Sequence, residues 1–226
     1  MGITGLALAW EHRISFFERS QERRVEHSLP PANGLTAAAA GTSTEDAALA
    51  AACQAGDLAA YERLYELHGA RMKSLARHLL GGRQDAEDAV QETFLKIQRA
   101  ISSYRGKSSF STWAFRILVN SCHDLRRRRV RRREVSEAEP ENGDPPPEPR
   151  GPCAHPSLRL ALERSLAQLS GRQREIFLLY EVEGFAHAEI AAMLNVSEAV
   201  SKNTLFQAKK ALRQMLEPPR ASGRPG

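Results

Sequence analysis

The sequence predicts an all-α protein made of two small helical domains joined by a flexible linker. Apolar residues recur at three- and four-residue steps in both halves of the chain, and no segment shows a convincing strand pattern. A proline- and acid-rich stretch separates the halves and should keep the two domains from packing as one rigid unit. The predicted order is a flexible extension at 1–44, a first domain at 45–133, a linker at 134–156, a second domain at 157–216 and a disordered tail at 217–226.

Composition and charge narrow the possible functions. The chain has 226 residues and a formal net charge of +5, and the basic excess lies near its middle, which indicates a polyanionic partner. Cys53, Cys122 and Cys153 include no close pair, so neither a disulfide framework nor a metal site is expected, and a reducing cytoplasm fits best. No apolar run approaches the roughly 18 residues of a membrane span. We therefore expect no membrane insertion, no metal and no cofactor.

Three amphipathic helices are predicted in the first domain. Apolar residues over 57–80 form one stripe, which Gly81 and Gly82 end. A second helix is predicted at about 84–102. A third begins near Phe110 and continues into an arginine run.

The second domain contains a helix-turn-helix pattern. Helices predicted around 158–169 and 176–180 precede a short helix at 187–194 and a longer one at about 198–216, separated by three residues. In this arrangement the short helix braces the longer one, whose first residues can enter a DNA major groove. A purely structural hairpin would show the same spacing.

The arginine run holds seven arginines in the eight positions 126–133. Such density repels itself unless an anion neutralises it. A solvated helix end or a localisation tract is the alternative, but the position between an aromatic helix and a linker favours nucleic-acid phosphate. Trp113 shares the apolar stripe of Phe110, which favours core packing and leaves Tyr104 and Phe115 as the freer aromatics.

An acidic segment at 85–95 predicts a docking surface. With Val90 and Phe94 turned inward, carboxylates occupy the opposite face, with a glutamine and a leucine beside them. Acids near a helix N-terminus are also ordinary partners of the helix dipole, which is the alternative.

In this order, these motifs resemble the sigma-70 family, specifically its extracytoplasmic-function group, which keeps only regions two and four. The resemblance covers about residues 50–133 and 157–216. Residues 85–95 resemble the polymerase-binding part of region two. Residues 105–113, together with the helix that follows, resemble its promoter-melting part.

The resemblance implies an RNA polymerase sigma factor, which is not an enzyme, and it also implies residue roles. Its partners would be core polymerase, through the β′ clamp and the β subunit, promoter DNA, and an anti-sigma factor. The residues implied to bind polymerase are Asp85, Asp88, Gln91, Glu92 and Leu95. Those implied for the −10 element are Arg105, Lys107, Ser108, Phe110, Arg116, Asn120, Asp124, Arg127, Arg128 and Arg131. Those implied for the −35 element are Ser197, Glu198, Val200, Lys202, Asn203, Thr204, Phe206 and Lys209.

The recognition helix departs from the family pattern. The family usually has Gly-Thr-Val, a basic residue and Ser-Arg, where this chain has Ala-Val-Ser-Lys-Asn-Thr at 199–204, and the usual arginine near Gln207 is missing. Which of Val200, Lys202, Asn203 and Thr204 touches bases stays open, and an unusual −35 preference is one outcome.

Two other classes of protein remain as alternatives. A helix-turn-helix repressor or activator would explain the second domain but gives 85–95 and 105–124 no role. An enzyme, such as a helical hydrolase, is disfavoured because the seven histidines show neither ligand nor triad spacing.

Overall fold

The computed structural model of the protein describes residues 42–135 and 156–216. Both ranges are helical apart from short turns and contain no strand, which confirms the predicted all-α class. Most of the predicted N-terminal extension and linker, together with the tail, lie outside the described residues. No helix within the described ranges has the length and apolar character needed to cross a membrane.

The first range forms an N-terminal bundle of four α-helices. They are α1 (Thr42–Gln54), α2 (Leu58–Leu80), α3 (Arg83–Ala100) and α4 (Phe110–Val135), with a 3₁₀ turn at Ile101–Ser103 after α3. Large apolar side chains at helical spacing fill its centre, as the periodicity predicts. The largest fully buried ones are Leu64, Met72, Leu75, Phe94, Ile97, Phe110, Phe115 and Leu118.

Local chemistry fixes the ends of α2. The Asp57 carboxylate accepts the backbone N–H of Ala59 at 3.0 Å and so caps the helix. Gly81 adopts the left-handed conformation, with φ of 84°, and donates its N–H to the carbonyl of Arg77. Both ends agree with the predicted helix.

Helix α1 is a correction to the predicted boundary. Its first three residues fall in the segment assigned to the flexible extension, for which the sequence predicts at most partial helix. Ala50 and Cys53 are buried, so α1 belongs to the bundle. Its alanine-rich sequence carries no stripe of large apolar residues, which is the signal that identifies the other helices.

The second range forms a C-terminal bundle. It contains α5 (Pro156–Gln168), α6 (Gly171–Phe177), a π-helical turn (Leu178–Val182), α7 (His187–Leu194) and α8 (Glu198–Leu216). The bounds of α7 and α8 match those predicted from the helix-turn-helix pattern. The buried residues at its centre are Leu166, Leu169, Ile176, Leu179, Ile190, Leu205, Ala208 and Leu212.

The two bundles contact each other, whereas the sequence predicts that the linker keeps them from packing as one rigid unit. Arg71 of α2 forms an ion pair with Glu183 in the loop before α7, and the rings of Phe115 and Phe185 pack edge to face. The proline- and acid-rich composition of the linker indicates that the linker itself buries little apolar surface. It gives no information on whether the surfaces of the two bundles are complementary.

The two described cysteines are core residues. Burial raises the pKa of the Cys53 thiol to about 11 and that of Cys122 to about 12, with Asp57 and Glu175 adding to the respective shifts. Both side chains are buried. We therefore treat them as unreactive thiols.

The cap of α2 gives a stability test. We expect Asp57→Ala to lower the free energy of unfolding by about 1 kcal/mol, since it removes the acceptor for a helix N–H. Asp57→Asn keeps an acceptor oxygen and is the matched control, with little expected change. Urea unfolding of the full chain measures both. Equal stability of the wild type and Asp57→Ala would contradict a capping role.

Candidate nucleic-acid interface

The acidic face of α3 lies against the arginine run at the end of α4. Asp85 forms an ion pair with Arg129, and a Glu92 carboxylate oxygen lies 3.7 Å from a guanidinium nitrogen of Arg128. These side chains are all between one quarter and two thirds exposed. Two acids implied to bind polymerase therefore neutralise arginines of the same bundle.

The rest of that face is open to solvent. Asp88 and Gln91 are exposed, and Leu95 is half-buried beside them. The described partner of Asp88 is Gln84, one helical turn earlier, whose amide donates to the carboxylate at 3.2 Å. The five residues implied for polymerase thus share one side of α3, and Asp88 and Gln91 are its most accessible members.

Lys96 joins this face to the middle of α4. Its ammonium lies 3.0 Å from Glu92, 3.1 Å from the Ser121 hydroxyl and 3.2 Å from Asp124. Arg127 donates a second charge-assisted hydrogen bond to Asp124, and these two cations lower the pKa of the Asp124 carboxyl. Lys96 and Ser121 were missed at the sequence level. The only signal there was the four-residue spacing of Lys96 from Glu92.

The loop between α3 and α4 rests on three aromatic rings. The Tyr104 hydroxyl donates to the Ser108 carbonyl at 2.7 Å, and its ring lies 5.3 Å from Phe110 and 5.4 Å from Trp113, which stack on each other at 5.7 Å. Phe110 is fully buried. The assignment of Phe110 as a DNA contact is therefore corrected, because its ring packs beneath the loop and supports it. The exposed residues of the loop that were assigned to DNA are Arg105, Lys107 and Ser108.

Phe115 is a second correction. The sequence predicts it to be a freer aromatic, but it is fully buried, between His68 of its own bundle and Phe185 of the C-terminal bundle. The prediction considered only the N-terminal bundle, in which Phe115 lies beside the main apolar stripe of α4. Trp113, predicted to pack in the core, is half-buried.

Helix α1 braces the same loop from the other side. One carboxylate oxygen of Asp46 accepts the first two backbone N–H groups of α4, at 2.7 and 3.2 Å. The Gln54 amide donates to the carbonyls of Ile101 and Tyr104, at 3.2 and 3.0 Å. Sequence reasoning missed Asp46 and Gln54, because no local pattern links either one to a loop about 50 or more residues away.

The outer side of α4 carries the remaining −10 candidates. Arg116 and Asn120 are exposed, and Asp124 follows one turn later, half-buried. Arg127 and Arg131 continue this line and are exposed. The outer side of α4 therefore presents the Asn120 amide among cationic side chains, next to the exposed loop.

The turn between α7 and α8 has helix-turn-helix geometry. Asn195 ends α7 in the left-handed conformation, with φ of 53°, and its N–H bonds to the Ala191 carbonyl. The Ser197 hydroxyl then accepts the N–H of Val200 at 3.2 Å, which caps the start of α8. Ser197 therefore has a structural role in addition to its predicted place near DNA.

The first three turns of α8 expose a mixed surface. Lys202 and Asn203 are exposed, Thr204 is half-buried, and Val200 and Phe206 are 46% and 63% exposed. Exposed apolar side chains of this kind can contact a thymine methyl group, and Asn203 can bond a base edge.

Two of the three lysines of α8, Lys202 and Lys209, are paired within the bundle. The Lys202 ammonium lies 2.6 Å from Glu198, and its hydrogen bond and charge lower the pKa of that carboxyl. Lys209 lies 2.6 Å from Glu181 and 5.8 Å from the centre of the Tyr180 ring. Neither lysine is a cation without a counter-charge, so this helix is less basic in effect than its sequence suggests.

His187 braces the recognition helix and was not predicted. Its ring stacks on Tyr180 at 4.4 Å, and its Nδ1 is hydrogen-bonded to the hydroxyl of Ser201, which is fully buried in α8. Tyr180 belongs to the π-helical turn, a feature that proteins often place at functional sites. His187 thereby connects this turn, α7 and α8.

Both bundles match known sequence families. Residues 64–132 match the family model for Sigma-70 region 2, and residues 159–212 match that for Sigma-70, region 4. These matches fall within the two described ranges. They contain the α3 face, the loop, most of α4 and the helix-turn-helix.

Curated relatives resemble most of the chain. It is 32% identical over 171 residues to the ECF RNA polymerase sigma factor SigM of Mycobacterium tuberculosis, an alignment that covers 76% of this chain and 84% of the relative. It is 30% identical over 183 residues to the ECF RNA polymerase sigma-E factor of Salmonella typhimurium, covering 76% and 95%.

Solved structures show the same fold. The sigma factor RpoE in complex with the anti-sigma factor NepR, from Bartonella quintana, has a TM-score of 0.61 at 25% identity, covering 71% of this chain and 98% of that one. CnrH in complex with the cytosolic domain of CnrY has a TM-score of 0.57 at 26% identity, covering 76% and 96%. Matches over both bundles disfavour a helix-turn-helix regulator that acts without polymerase. The chain belongs to the sigma-70 family and is an RNA polymerase sigma factor of the extracytoplasmic-function group.

Proposed function

We propose that this sigma factor binds core RNA polymerase and directs it to promoters, with the N-terminal bundle at the −10 element and the C-terminal bundle at the −35 element. The observation that carries the proposal is the adjacency, on one bundle, of the acidic face of α3, the exposed loop before α4 and the cationic outer side of α4. A protein surface and a nucleic acid can then be bound side by side.

Docking to polymerase uses the acidic face. Asp88 and Gln91 offer exposed polar groups, and the half-buried Leu95 offers an apolar contact at the centre of the patch. A basic surface on the β′ clamp would complement them. Asp85 and Glu92 add charge but are already shared with arginines of α4.

Strand opening uses the loop and α4. Arg105 and Lys107 are exposed and can neutralise phosphates, while the Asn120 amide can bond the edge of an unpaired base. Flipping a base out of the stack costs a few kcal/mol. Asp46 and Gln54 hold the loop in place, so its surface is preformed. Contacts between this surface and the flipped base would offset that cost.

Recognition of the −35 element uses α8. Its first turns present Val200 and Asn203 to the major groove, with Lys202 near the phosphates. This set differs from the basic pattern usual in the family. We propose that the preferred −35 sequence differs accordingly.

An anti-sigma factor is the remaining proposed partner. A solved relative, RpoE, is bound to the anti-sigma factor NepR, and its fold matches 71% of this chain. A cytoplasmic location follows from the proposed partners, since polymerase and chromosomal DNA are found there.

The docking proposal is tested by charge reversal at Asp88. We expect Asp88→Lys to weaken binding to core polymerase about tenfold or more, which is about 1.4 kcal/mol, because it places a cation against a basic clamp. Glu66→Lys, an exposed reversal on α2, is the matched control and should bind normally. Co-purification and fluorescence anisotropy measure binding, and circular dichroism checks helicity. Normal binding by a folded Asp88→Lys protein would refute the docking face.

The two promoter contacts are tested by separate variants on the same DNA. Asn120→Ala should leave duplex binding by the holoenzyme intact but lower permanganate reactivity of thymines at −10, since alanine cannot bond a base edge. Lys202→Ala with Asn203→Ala should weaken binding of the −35 element and spare opening on a pre-melted −10 template. If Asn120→Ala opens promoters normally and the double variant fails on the pre-melted template, this division of roles is wrong.

The arginine run is tested by salt dependence. Arg131→Gln with Arg132→Gln should lower the slope of log affinity against log salt by about 0.7 to 0.9 for each phosphate that is no longer neutralised. Arg129→Gln is the comparison, because Arg129 is paired with Asp85, and we expect a smaller change. Holoenzyme binding to promoter DNA at several salt concentrations gives the slopes. An unchanged slope in the double variant would place these arginines away from the DNA backbone.

A further inference from the structure

A buried hydroxyl lies on the inner face of the recognition helix. Ser201 is fully buried in the first turn of α8, at a position where the family pattern usually has valine. A buried hydroxyl needs a hydrogen-bond partner, since burial removes it from water. The Ser201 oxygen lies 2.9 Å from Nδ1 of His187, the first residue of α7. This bond ties the start of α7 to the first turn of α8.

The π-helical turn holds the His187 ring from its other side. The Tyr180 ring stacks on it, with ring centres 4.4 Å apart and planes 24° apart. The turn closes where Glu183 donates its N–H to the Leu178 carbonyl, five residues earlier, at 2.9 Å. Such a turn takes up one residue more than an α-helical turn, which changes the direction in which its side chains leave the helix. Here Tyr180 and Glu181 reach α7 and α8.

A second contact between the π-helical turn and α8 lies farther along α8. The Lys209 ammonium lies 2.6 Å from the Glu181 carboxylate and 5.8 Å from the centre of the Tyr180 ring. Because a helix rises about 1.5 Å per residue, Ser201 and Lys209 lie about 12 Å apart along the axis of α8. Two contacts at that separation fix both the tilt of α8 and its rotation about its own axis.

The backbone that carries His187 is also fixed. The N–H of Ala186, the preceding residue, is donated to the Glu189 carboxylate at 2.9 Å, and the Ala186 carbonyl accepts the N–H of Ile190 at 3.0 Å. These bonds hold the first turn of α7 in place. The His187 ring therefore leaves a fixed backbone position and lies between Tyr180 and Ser201.

We propose that His187 and Ser201, with Tyr180 stacked on His187, position α8 in the major groove and thereby determine which −35 sequences the holoenzyme accepts. This proposal rests on the proposed function of the C-terminal bundle. None of the three residues belongs to the set implied to touch DNA, so each acts on recognition through α8. Val200 directly precedes Ser201 and Asn203 follows it by two residues, so a shift of Ser201 also shifts the side chains proposed to meet bases.

The main effect of the pair is on base preference. Attraction between a cation and a phosphate falls slowly with distance and tolerates small shifts of a helix. Hydrogen bonds and close contacts with base edges do not, and binding groups need to be held within about 0.5 Å of the productive geometry. Loss of the pair should therefore lower discrimination among −35 sequences far more than it lowers affinity for DNA in general.

Three substitutions separate the hydrogen bond from the ring stack. His187→Phe keeps a ring against Tyr180 but has no nitrogen for Ser201, and Ser201→Ala removes the hydroxyl. His187→Asn keeps a hydrogen-bonding atom at the position of Nδ1 but loses the ring. Holoenzyme containing each full-length variant is mixed with a promoter pool that has a fixed −10 element and a randomised −35 segment, and the bound DNA is sequenced.

The hydrogen bond predicts a specific pattern of losses. We expect His187→Phe and Ser201→Ala each to lower the enrichment of the preferred −35 sequence about threefold or more, because base contacts provide that discrimination. The double variant should lose no more than either single variant, since all three lack the same bond. His187→Asn should discriminate better than His187→Phe.

Ser165→Ala is the matched control. Ser165 is a second buried serine of the C-terminal bundle, 4% exposed, and its hydroxyl donates to the Ala161 carbonyl within α5 at 2.9 Å. The control should keep the −35 preference of the wild type, and urea unfolding measures the stability of every variant. If Ser165→Ala loses discrimination as Ser201→Ala does, the loss reflects general loosening of the bundle and the proposal is wrong.

The outcomes separate this proposal from the proposed function. A wild-type holoenzyme with no −35 preference would refute the proposed role of the C-terminal bundle and the positioning role with it. A clear wild-type preference that His187→Phe and Ser201→Ala both retain would overturn the positioning role alone. Losses that add in the double variant would also overturn it, because the two residues would then act independently.

A tethered iron chelate reports the position of α8 directly. The chelate is attached to Gln214→Cys, an exposed position near the end of α8, in a Cys153→Ser chain whose remaining cysteines, Cys53 and Cys122, are buried. On the preferred promoter the wild-type holoenzyme should cut the DNA at a few adjacent base pairs, and Ser201→Ala should cut at displaced positions or over a wider stretch. A changed −35 preference with an unchanged cutting pattern would show that the pair acts without moving α8 and would overturn the proposal.

Discussion

Arginines at seven of eight consecutive positions repel one another, and this repulsion would fray the end of α4 if no carboxylates lay beside them. Helix α3 runs antiparallel to α4 and supplies Asp85 and Glu92 to Arg129 and Arg128. Farther along the contact the charges are exchanged between the two helices, because here the cation, Lys96, belongs to α3 and pairs with Asp124 in the middle of α4. Because these pairs are spread along the whole contact, they fix the register of the two helices. The loop between them and its aromatic support depend on that register.

This arrangement would couple the two proposed binding events. The carboxylates that hold Arg128 and Arg129 lie on the face proposed for polymerase, and the arginines lie on the side proposed for DNA. A clamp that attracts Asp85 or Glu92 would release an arginine toward phosphate, and linkage requires that DNA strengthen docking by the same factor. Each pair is partly exposed, so the contribution of each is at most about 1 kcal/mol.

The sequence predicts what depends on local patterns. Periodicity placed α2, α3, α7 and α8 within a few residues, and the acidic and basic motifs fell on neighbouring helices. It did not predict α1, whose small side chains carry no stripe, nor its braces Asp46 and Gln54. Nor did it predict the contacts between the two bundles, since Arg71 and Glu183 are 112 positions apart and each resembles an ordinary surface residue in its own helix or loop. Contacts between distant segments have no local signature.

The unusual recognition helix fits this distribution of charge. Lys202 and Lys209 are each paired with a carboxylate of the C-terminal bundle, whereas Lys210 and Arg213 are exposed farther along α8, where cations can contact phosphate. In the proposed binding mode, Val200 and Asn203 would supply the direct contacts with bases. Such contacts would gain from a −10 complex that raises the local concentration of α8 near its proposed site.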